Sequence, residues 1–361
     1  MYLKKIIIKN FRNISETDLT FCKQFNIICG LNGQGKTNLI EAVYLLGNGR
    51  TFRSAKVTDL ICYEKESADV YGVIDSCRLE HQININLNKS FRKVTLDGKN
   101  IHTAAELQGK MPVVVFNPDD LLMIKQGPDA RRKYLDRIIY HADIGYLKKY
   151  QRYYNILKQR NVLLREKKRS YIDIIDEQLI EAGIKIITAR GSFVKQLTDC
   201  LELSYNKISD NSEKVKMHYK PDVTADRYRD TIRDSLELDF QRGMTNRGPH
   251  RDDLLFLLNN RQLKQFGSQG QQRSFVLALK ITELEQINIC FGKYPILLLD
   301  DITSELDTLR VQNLISHITG NNIQTIITTT NSKLSDLYEF NHVTEFEVSS
   351  GIIRHKENNK I

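Results

Sequence analysis

The eight residues Gly30, Leu31, Asn32, Gly33, Gln34, Gly35, Lys36 and Thr37 constrain the fold more than any other stretch of the chain. They satisfy the G-x-x-x-x-G-K-[ST] phosphate-loop pattern at every specified position. An apolar strand run, Phe25–Cys29, precedes them and a helical run, Thr37–Leu46, follows, which is the setting such a loop requires. Glycines let the backbone turn its N–H groups towards phosphates, and the helix N-terminus adds a partial positive charge. Lys36 is then expected to reach the β- and γ-phosphates and Thr37 to hold Mg2+, so ATP with Mg2+ is the expected pair of bound groups.

Two further motifs follow in a fixed order. Gly267-Ser-Gln-Gly-Gln271 is a turn before a helix, so Ser268, Gly270 and Gln271 would offer hydroxyl and N–H groups to a γ-phosphate. On its own this turn would pass for a loop. Four apolar residues, Ile296–Leu299, then end in Asp300 and Asp301, trailed by Ser304-Glu-Leu-Asp307. Asp300 is expected at the metal and Asp301 to orient or deprotonate the attacking water. Asp301, with Lys36, is thus the catalytic candidate, and Asp307 joins the nucleotide-binding set. ABC ATPases more often have Glu at the position of Asp301. The shorter carboxylate predicts loose water positioning and slow hydrolysis, a switch rather than a metabolic enzyme. The three motifs together predict an α/β ABC-type ATPase head, a mixed sheet carrying the phosphate loop. In the ATPases these motifs resemble, such a turn acts on nucleotide held by a second subunit, and the resemblance implies an ATP-dependent homodimer.

Charge points to the partner. Between Arg131 and Arg169 there are 13 Lys/Arg against three Asp/Glu, a net of +10, while the rest of the chain has 40 basic and 41 acidic residues. Such a concentrated basic segment is an electrostatic footprint for a polyanion. Lys148, Lys149, Arg152 and Lys158, interleaved with Tyr150, Tyr153 and Tyr154, are candidates for DNA-phosphate contacts, with Arg131 and Arg132 beside them. The competing reading is a solvated face over a tyrosine core.

Other classes lose ground. No run of 18 apolar residues encodes a membrane helix, and Met1–Lys9 reads as a strand rather than a leader. The six cysteines (22, 29, 62, 77, 200 and 290) form no C-x-x-C pair, so a reduced cytoplasmic setting without zinc is expected, with Cys29 and Cys290 in the core. His250 in Gly248-Pro-His-Arg-Asp-Asp253 has no metal-ligand companion, and that cluster reads as a salt-bridged turn.

Strand signals dominate residues 2–116, including the clean alternation of Gln82–Leu87 and an Asp97-Gly98 hairpin. From about Asp129 to Asp210 there is no proline and the pattern turns helical, with Ile172, Ile175, Leu179, Ala182, Ile186, Ala189 and Phe193 in heptad positions. A helix over Tyr146–Lys168, about 34 Å long at 1.5 Å per residue, would pair antiparallel with it. Lys214–Tyr219 reads as a strand and Asp226–Leu238 as a helix. From Gly243, Leu254–Leu258, Ile296–Leu299 and Ile323–Thr328 alternate with helices and predict a largely parallel sheet. The head is therefore expected in two pieces, 1–125 and 243–361, around a helical arm domain at 126–242.

With these motifs on the page, the chain resembles the RecF family, bacterial recombination-repair ATPases related to SMC proteins. The specific marks are Asn117-Pro-Asp-Asp-Leu-Leu-Met-Ile-Lys-Gln-Gly-Pro128 with Arg131-Arg132, Gly248-Pro-His-Arg-Asp-Asp-Leu254 and Leu299-Asp-Asp-Ile-Thr-Ser-Glu-Leu-Asp307. The resemblance covers essentially the whole chain. It implies ATP-dependent binding to duplex or single-strand/duplex junction DNA, a weak DNA-stimulated ATPase, and recombinase loading at gaps. It also implies replication restart, SOS induction and RecR and RecO as partners. One departure is Thr328-Thr-Thr-Asn331, where many ABC ATPases place a histidine; Thr330 is the substitute expected there. A transporter ATPase subunit would bring its loop and signature closer together than Lys36 and Ser268, an SMC-type structural head would have longer heptad arrays, and a small-molecule kinase would leave Ser268–Gln271 without a purpose.

Overall fold

Alternating residues of the first hundred positions build an antiparallel sheet, and the continuous apolar runs build a parallel one. The computed structural model describes residues 1–356 apart from 54–55, 77–78, 102, 210–212, 302–305, 332–333, 339 and 341. Ser304 and Glu305 of the Ser304–Asp307 motif, and Cys77, lie outside the described residues. Contacts divide the chain into two units, Met1–Pro118 with Glu283–Ile361, and Asp119–Thr282.

The first unit contains β1 (Tyr2–Phe11), β2 (Ile14–Thr20), β3 (Phe25–Cys29), α1 (Lys36–Asn48), β4 (Ser67–Ser76), β5 (Leu79–Asn88), β6 (Arg92–Leu96), β7 (Lys99–Asn100), α2 (Ala104–Lys110) and β8 (Val113–Phe116). Its later part adds β12 (Ile296–Leu299), β13 (Thr325–Thr329), β14 (Val343–Ser349) and β15 (Ile352–His355). One sheet runs β2-β1-β4-β5-β6-β7 with antiparallel pairing throughout; the other runs β15-β14-β3-β13-β12-β8, parallel except at β15. Helix α1 lies between them. Every residue from Leu39 to Asn48 is buried, and Leu39, Val43 and Leu46 share one core with Ile6 and Ile8 of one sheet and Leu298 and Ile326 of the other. A helix buried on all sides, with most of its residues apolar, needs such a layer against each face. The sandwich fixes where α1 begins, and so where the phosphate loop sits.

The second unit contains α3 (Leu122–Lys125), α4 (Pro128–Ala142), α5 (Ile144–Arg165), α6 (Ile172–Ile208), β9 (Val215–Lys220), α7 (Tyr228–Asp234), α8 (Leu236–Arg242), β10 (Asp253–Leu258), β11 (Arg261–Gln262), α9 (Leu263–Phe266) and the start of α10 (Gln269–Phe291). Helix α6 is 37 residues long and outruns the heptad series, because Leu197, Leu201, Tyr205 and Ile208 continue its buried stripe. The single helix expected over Asp226–Leu238 is two, α7 and α8, separated at Ser235, whose hydroxyl donates to Ile232 O at 3.3 Å.

Residues 243–282, expected in the C-terminal half of the head, fall in this second unit instead. Strand β10 pairs antiparallel with β9 and β11 and not with the parallel sheet. The reason is its pattern: Leu254, Phe256 and Leu258 are buried while the alternate residues are half-exposed, whereas a central parallel strand is buried on both faces. Cys29 is buried, but Cys290 is exposed in the last turn of α10, a correction to its expected core position. No helix among the described residues is long and apolar enough to cross a membrane.

Candidate functional site

Strand β3 is buried along its whole length and delivers the chain into the loop 30–35. Gly35 stands at φ 114, and an added Cβ would lie 2.7 Å from Asn13 Oδ1, so only glycine fits. Asn13 also donates from Nδ2 to Gln34 O at 3.2 Å and accepts from Asn38 Nδ2 at 2.7 Å, which pins the loop from the β1–β2 turn. Lys36 is buried, and its Nζ donates to Gly30 O at 2.7 Å and Leu31 O at 2.9 Å. Burial pushes its pKa down, and the carboxylates of Asp301 and Asp300 act the other way. The loop is thus closed on its own ammonium, a cradle of the shape and charge that a polyphosphate fits.

Asp300, buried at the end of β12, meets two hydroxyls: Thr37 Oγ1 donates to its Oδ1 at 3.0 Å and Thr328 Oγ1 at 2.7 Å. Burial raises its pKa against these bonds from Thr328 and Thr37. Threonine hydroxyl and carboxylate are hard oxygen donors, the chemistry that suits Mg2+. Asp301 follows at φ 51, and its N–H donates to Thr328 Oγ1 at 2.9 Å. Thr328 therefore ties the Asp300 carboxylate to the backbone of Asp301. Thr330, the substitute expected in this segment, is exposed, and Thr328 is the threonine that meets the carboxylate. A threonine at the end of an apolar strand, in the place of the missing histidine, was the available signal.

Arg12, in the β1–β2 turn, is committed to a carboxylate and a carbonyl of its own unit. Its Nε and Nη2 fork onto Glu41 at 3.0 and 3.1 Å, and Nη1 donates to Asp59 O at 2.9 Å. Asp307 caps the helix Thr308–Gly320, accepting from Arg310 N at 3.0 Å and pairing with the Arg310 guanidinium. That cap engages the carboxylate expected at the nucleotide.

In the second unit, α10 begins at Gln269, so Gly270 lies in its first turn and Ser268 before it. Ser268 Oγ accepts from Gln271 N at 3.2 Å, while Gln271 Oε1 accepts from Ser268 N at 2.7 Å, a reciprocal capping box. Gln271 Nε2 donates to Glu213 Oε1 at 2.6 Å, and Tyr205 OH donates to Glu213 Oε2 at 2.6 Å. The last turn of α6 is in this way tied to the signature turn through Glu213, a residue no sequence pattern singled out.

The basic arm is less bare than its composition implied. Lys148, Lys149, Arg152 and Lys158 are all exposed on α5. Yet Lys149 pairs with Asp143 at 3.3 Å and Arg152 with Glu181 at 3.1 Å, leaving Lys148 and Lys158 without an ion pair among the described residues. Arg131 is buried and forks onto Asp253 at 2.7 and 3.0 Å, so it holds α4 to β10 and is withdrawn from any DNA surface. Arg132 donates to Asp252 O at 2.7 Å. Arg160 lies wholly buried between Asp176 at 2.6 Å and Asp239 at 2.5 Å. Counting charges within 131–169 missed these carboxylates because most of them come from other segments.

The Gly248–Asp253 cluster is structural. Arg190, wholly buried, pairs with Asp136 at 2.9 Å and Asp252 at 2.7 Å. His250 Nε2 lies 3.0 Å from Thr245 O, which can only accept, so Nε2 carries the proton and Nδ1 accepts from Tyr153 OH at 2.7 Å. Burial pushes the His250 pKa down to about 4.

The parallel sheet with its phosphate loop, backed across α1 by an antiparallel sheet, is the head architecture of ABC-type ATPases. The model of the RecF/RecN/SMC N-terminal domain family matches residues 2–350. A protein of Trichlorobacter lovleyi named DNA replication and repair protein RecF is 46% identical over 337 residues, spanning 91% of this chain and 92% of its own. A solved structure of the recombination mediator protein RecF-ATP in the RecFOR pathway is 33% identical, with a TM-score of 0.89 over 98% of this chain and 97% of its own. The chain belongs to the RecF group of this family. An Smc head bound to the C-winged helix domain of ScpA, at 15% identity and a TM-score of 0.57 over 99% and 98% of the two chains, shares the fold alone.

Proposed function

We propose that this chain is an ATP-gated DNA-binding protein of recombinational repair and replication restart, acting in the cytoplasm. The observation that carries the reading is the meeting of Thr37 with Asp300 at 3.0 Å beside a phosphate loop closed by Lys36. Lys36 and the loop N–H groups would hold a triphosphate, with Thr37 and Asp300 at Mg2+. When bound, ATP with Mg2+ supplies a phosphoryl group open to attack by water. Asp301 orients that water, and its short side chain keeps turnover slow. Ser268, Gly270 and Gln271 present a helix N-terminus to the nucleotide of a second copy, so ATP drives a homodimer. The exposed Lys148 and Lys158 support binding to DNA phosphates, on duplex or single-strand/duplex junctions. Loading of recombinase at gaps with RecR and RecO, and SOS induction, complete the proposal.

The test combines sedimentation with DNA binding across a salt series, each with and without a non-hydrolysable ATP analogue. The expected result is a dimer, and tighter DNA binding, only with nucleotide, and a monomer for Ser268→Arg. A monomer under all nucleotide conditions, with DNA binding indifferent to ATP, would overturn the proposal.

A further inference from the structure

Three cations of the second unit without a carboxylate partner converge on one open groove of about 630 Å³, lined by Tyr154, Leu157, Lys158, Asn161, Arg165, Arg242, Gly243 and Met244. Among the described residues Lys158 forms no ion pair, Arg165 donates to Asn161 O at 3.1 Å, and Arg242 donates to Asn246 Oδ1 at 3.0 Å. Among the neighbouring exposed cations, Lys149, Arg152, Lys168 and Arg169 each hold a carboxylate, while Lys148, outside the groove, does not. The groove is therefore a local excess of positive charge with no internal compensation.

Its walls are shaped for more than charge. Tyr154, Leu157, Lys158, Asn161 and Arg165 share one face of α5. Gly243, at φ 65, brings the opposite wall against Arg165, since an added Cβ would lie 3.2 Å from Arg165 Cγ. Tyr154 is wedged between Tyr150, ring centroids 4.3 Å apart, and Tyr153, 5.3 Å apart. Met244 is 42% exposed on the far side, an apolar and polarisable surface facing solvent. Asn161 Oδ1 accepts from Thr245 N at 2.8 Å and Thr245 Oγ1 at 2.7 Å, which fixes the amide and leaves Nδ2 as a donor without a protein partner among the described residues.

From this combination we infer that the groove between α5 and the end of α8 takes a nucleoside phosphate, one unit of a single DNA strand. Phosphates meet Lys158, Arg165 and Arg242, and an unstacked base lies against Leu157 and Met244 within reach of Asn161 Nδ2. The volume falls within the range of pockets that enclose small organic ligands, about 300–1,000 Å³. Lys158 and Arg165 are two helical turns apart, about 10 Å along the axis, so the cations are spread along the groove rather than gathered at one point. Base-paired DNA keeps its bases stacked inside and has no base to place there, so single strands or single-stranded flanks are selected. The inference rests on the DNA-binding reading above and narrows it to a DNA form and a place.

The test uses the full chain with ATP, a labelled oligothymidylate, a labelled blunt duplex and a fluorescent ATP analogue. In the variant Lys158→Gln/Arg165→Gln/Arg242→Gln, the slope of log K against log salt on the single strand should flatten by about 2, from three contacts at about 0.7 each. ATP binding and melting temperature should hold, since all three side chains are exposed, and blunt-duplex affinity should hold in Arg165→Gln/Arg242→Gln, which keeps Lys158 in place. Met244→Asp, which adds one anion to the groove, should weaken single-strand binding in the same selective way. An unchanged single-strand slope in the triple variant would overturn the inference, as would a loss on blunt duplex equal to that on the single strand in Arg165→Gln/Arg242→Gln. Loss of a second ATP-analogue site with intact single-strand binding would assign the groove to free nucleotide and overturn it too. If the parent protein with ATP binds no DNA at all, the broader reading fails; if the parent binds and the triple variant matches it, only the groove fails.

Discussion

Thr37 Oγ1 and Asp300 Oδ1 lie 3.0 Å apart although 263 positions separate them in the chain. The phosphate loop and the apolar strand with its carboxylate are assembled by strand order alone, with β13 seated between β3 and β12. Thr328, at the end of that middle strand, completes the contact. Each half of the site is therefore sensitive to changes in the other.

Lys36→Met should cut ATP affinity roughly 10- to 100-fold, because a charge-assisted hydrogen bond contributes about 1.5–3 kcal/mol and methionine replaces the donor with an apolar chain. The loop also loses its bonds to Gly30 and Leu31 carbonyls. Fluorescent-nucleotide titration checks this, and unchanged affinity would remove Lys36 from the site.

Asp301→Asn should slow hydrolysis while leaving ATP binding intact, since Asp300 and Thr37 are untouched. Asn is a fair substitute because the position stands at φ 51, a region that Asn tolerates better than most residues. Single-turnover hydrolysis and nucleotide titration on one preparation separate the two effects. Equal turnover by variant and parent would exclude Asp301 from water positioning.

Arg190→Met should destabilise the chain by about 3–5 kcal/mol, because it strands the carboxylates of Asp136 and Asp252 against a wholly buried position. Arg152→Met, which breaks an exposed pair with Glu181, should leave stability nearly unchanged. Urea unfolding of both variants measures the contrast. Similar losses for the two would mean that the buried network is not what holds this unit.

His250 supplies a pH signature. Its pKa is about 4 in the folded chain and about 6.5 when unfolded, so the unfolded state binds the extra proton between those values. Stability from this group is complete above about pH 6.5 and is lost as pH falls towards 4, by about 3 kcal/mol in all. Comparing pH-dependent unfolding of the parent with His250→Gln isolates the contribution. A parent and variant that lose stability in parallel over this window would show that the histidine is not held neutral.

Local chemistry made much of this legible. The phosphate loop announces itself because its glycines, lysine and threonine are contiguous, and the S-x-x-Q box of Ser268–Gln271 because a cap is completed within one turn. Thr328 and Glu213 stayed hidden because each acts across long stretches of chain and belongs to no spacing. Arg131 misled for the same reason: its partner Asp253 is 122 positions away, so a charge that is neutralised in the fold counted as free in the sequence. Strand β10 misled because an apolar run looks alike in a parallel and an antiparallel setting unless its alternation is weighed.

The buried guanidinium of Arg160 has a mechanical meaning. It is clamped by Asp176 of α6 and Asp239 of α8 and also donates to Thr245 Oγ1 at 2.9 Å. Helices packed by apolar side chains alone have neighbouring registers one turn, about 5.4 Å, apart that differ little in energy. A fork of hydrogen bonds between two carboxylates has a single seating, and sliding by one turn would leave three charges unmatched in the interior. Helices α5 and α6 are therefore held in one register, and the far end of α6, at Tyr205, is tied to the signature turn through Glu213.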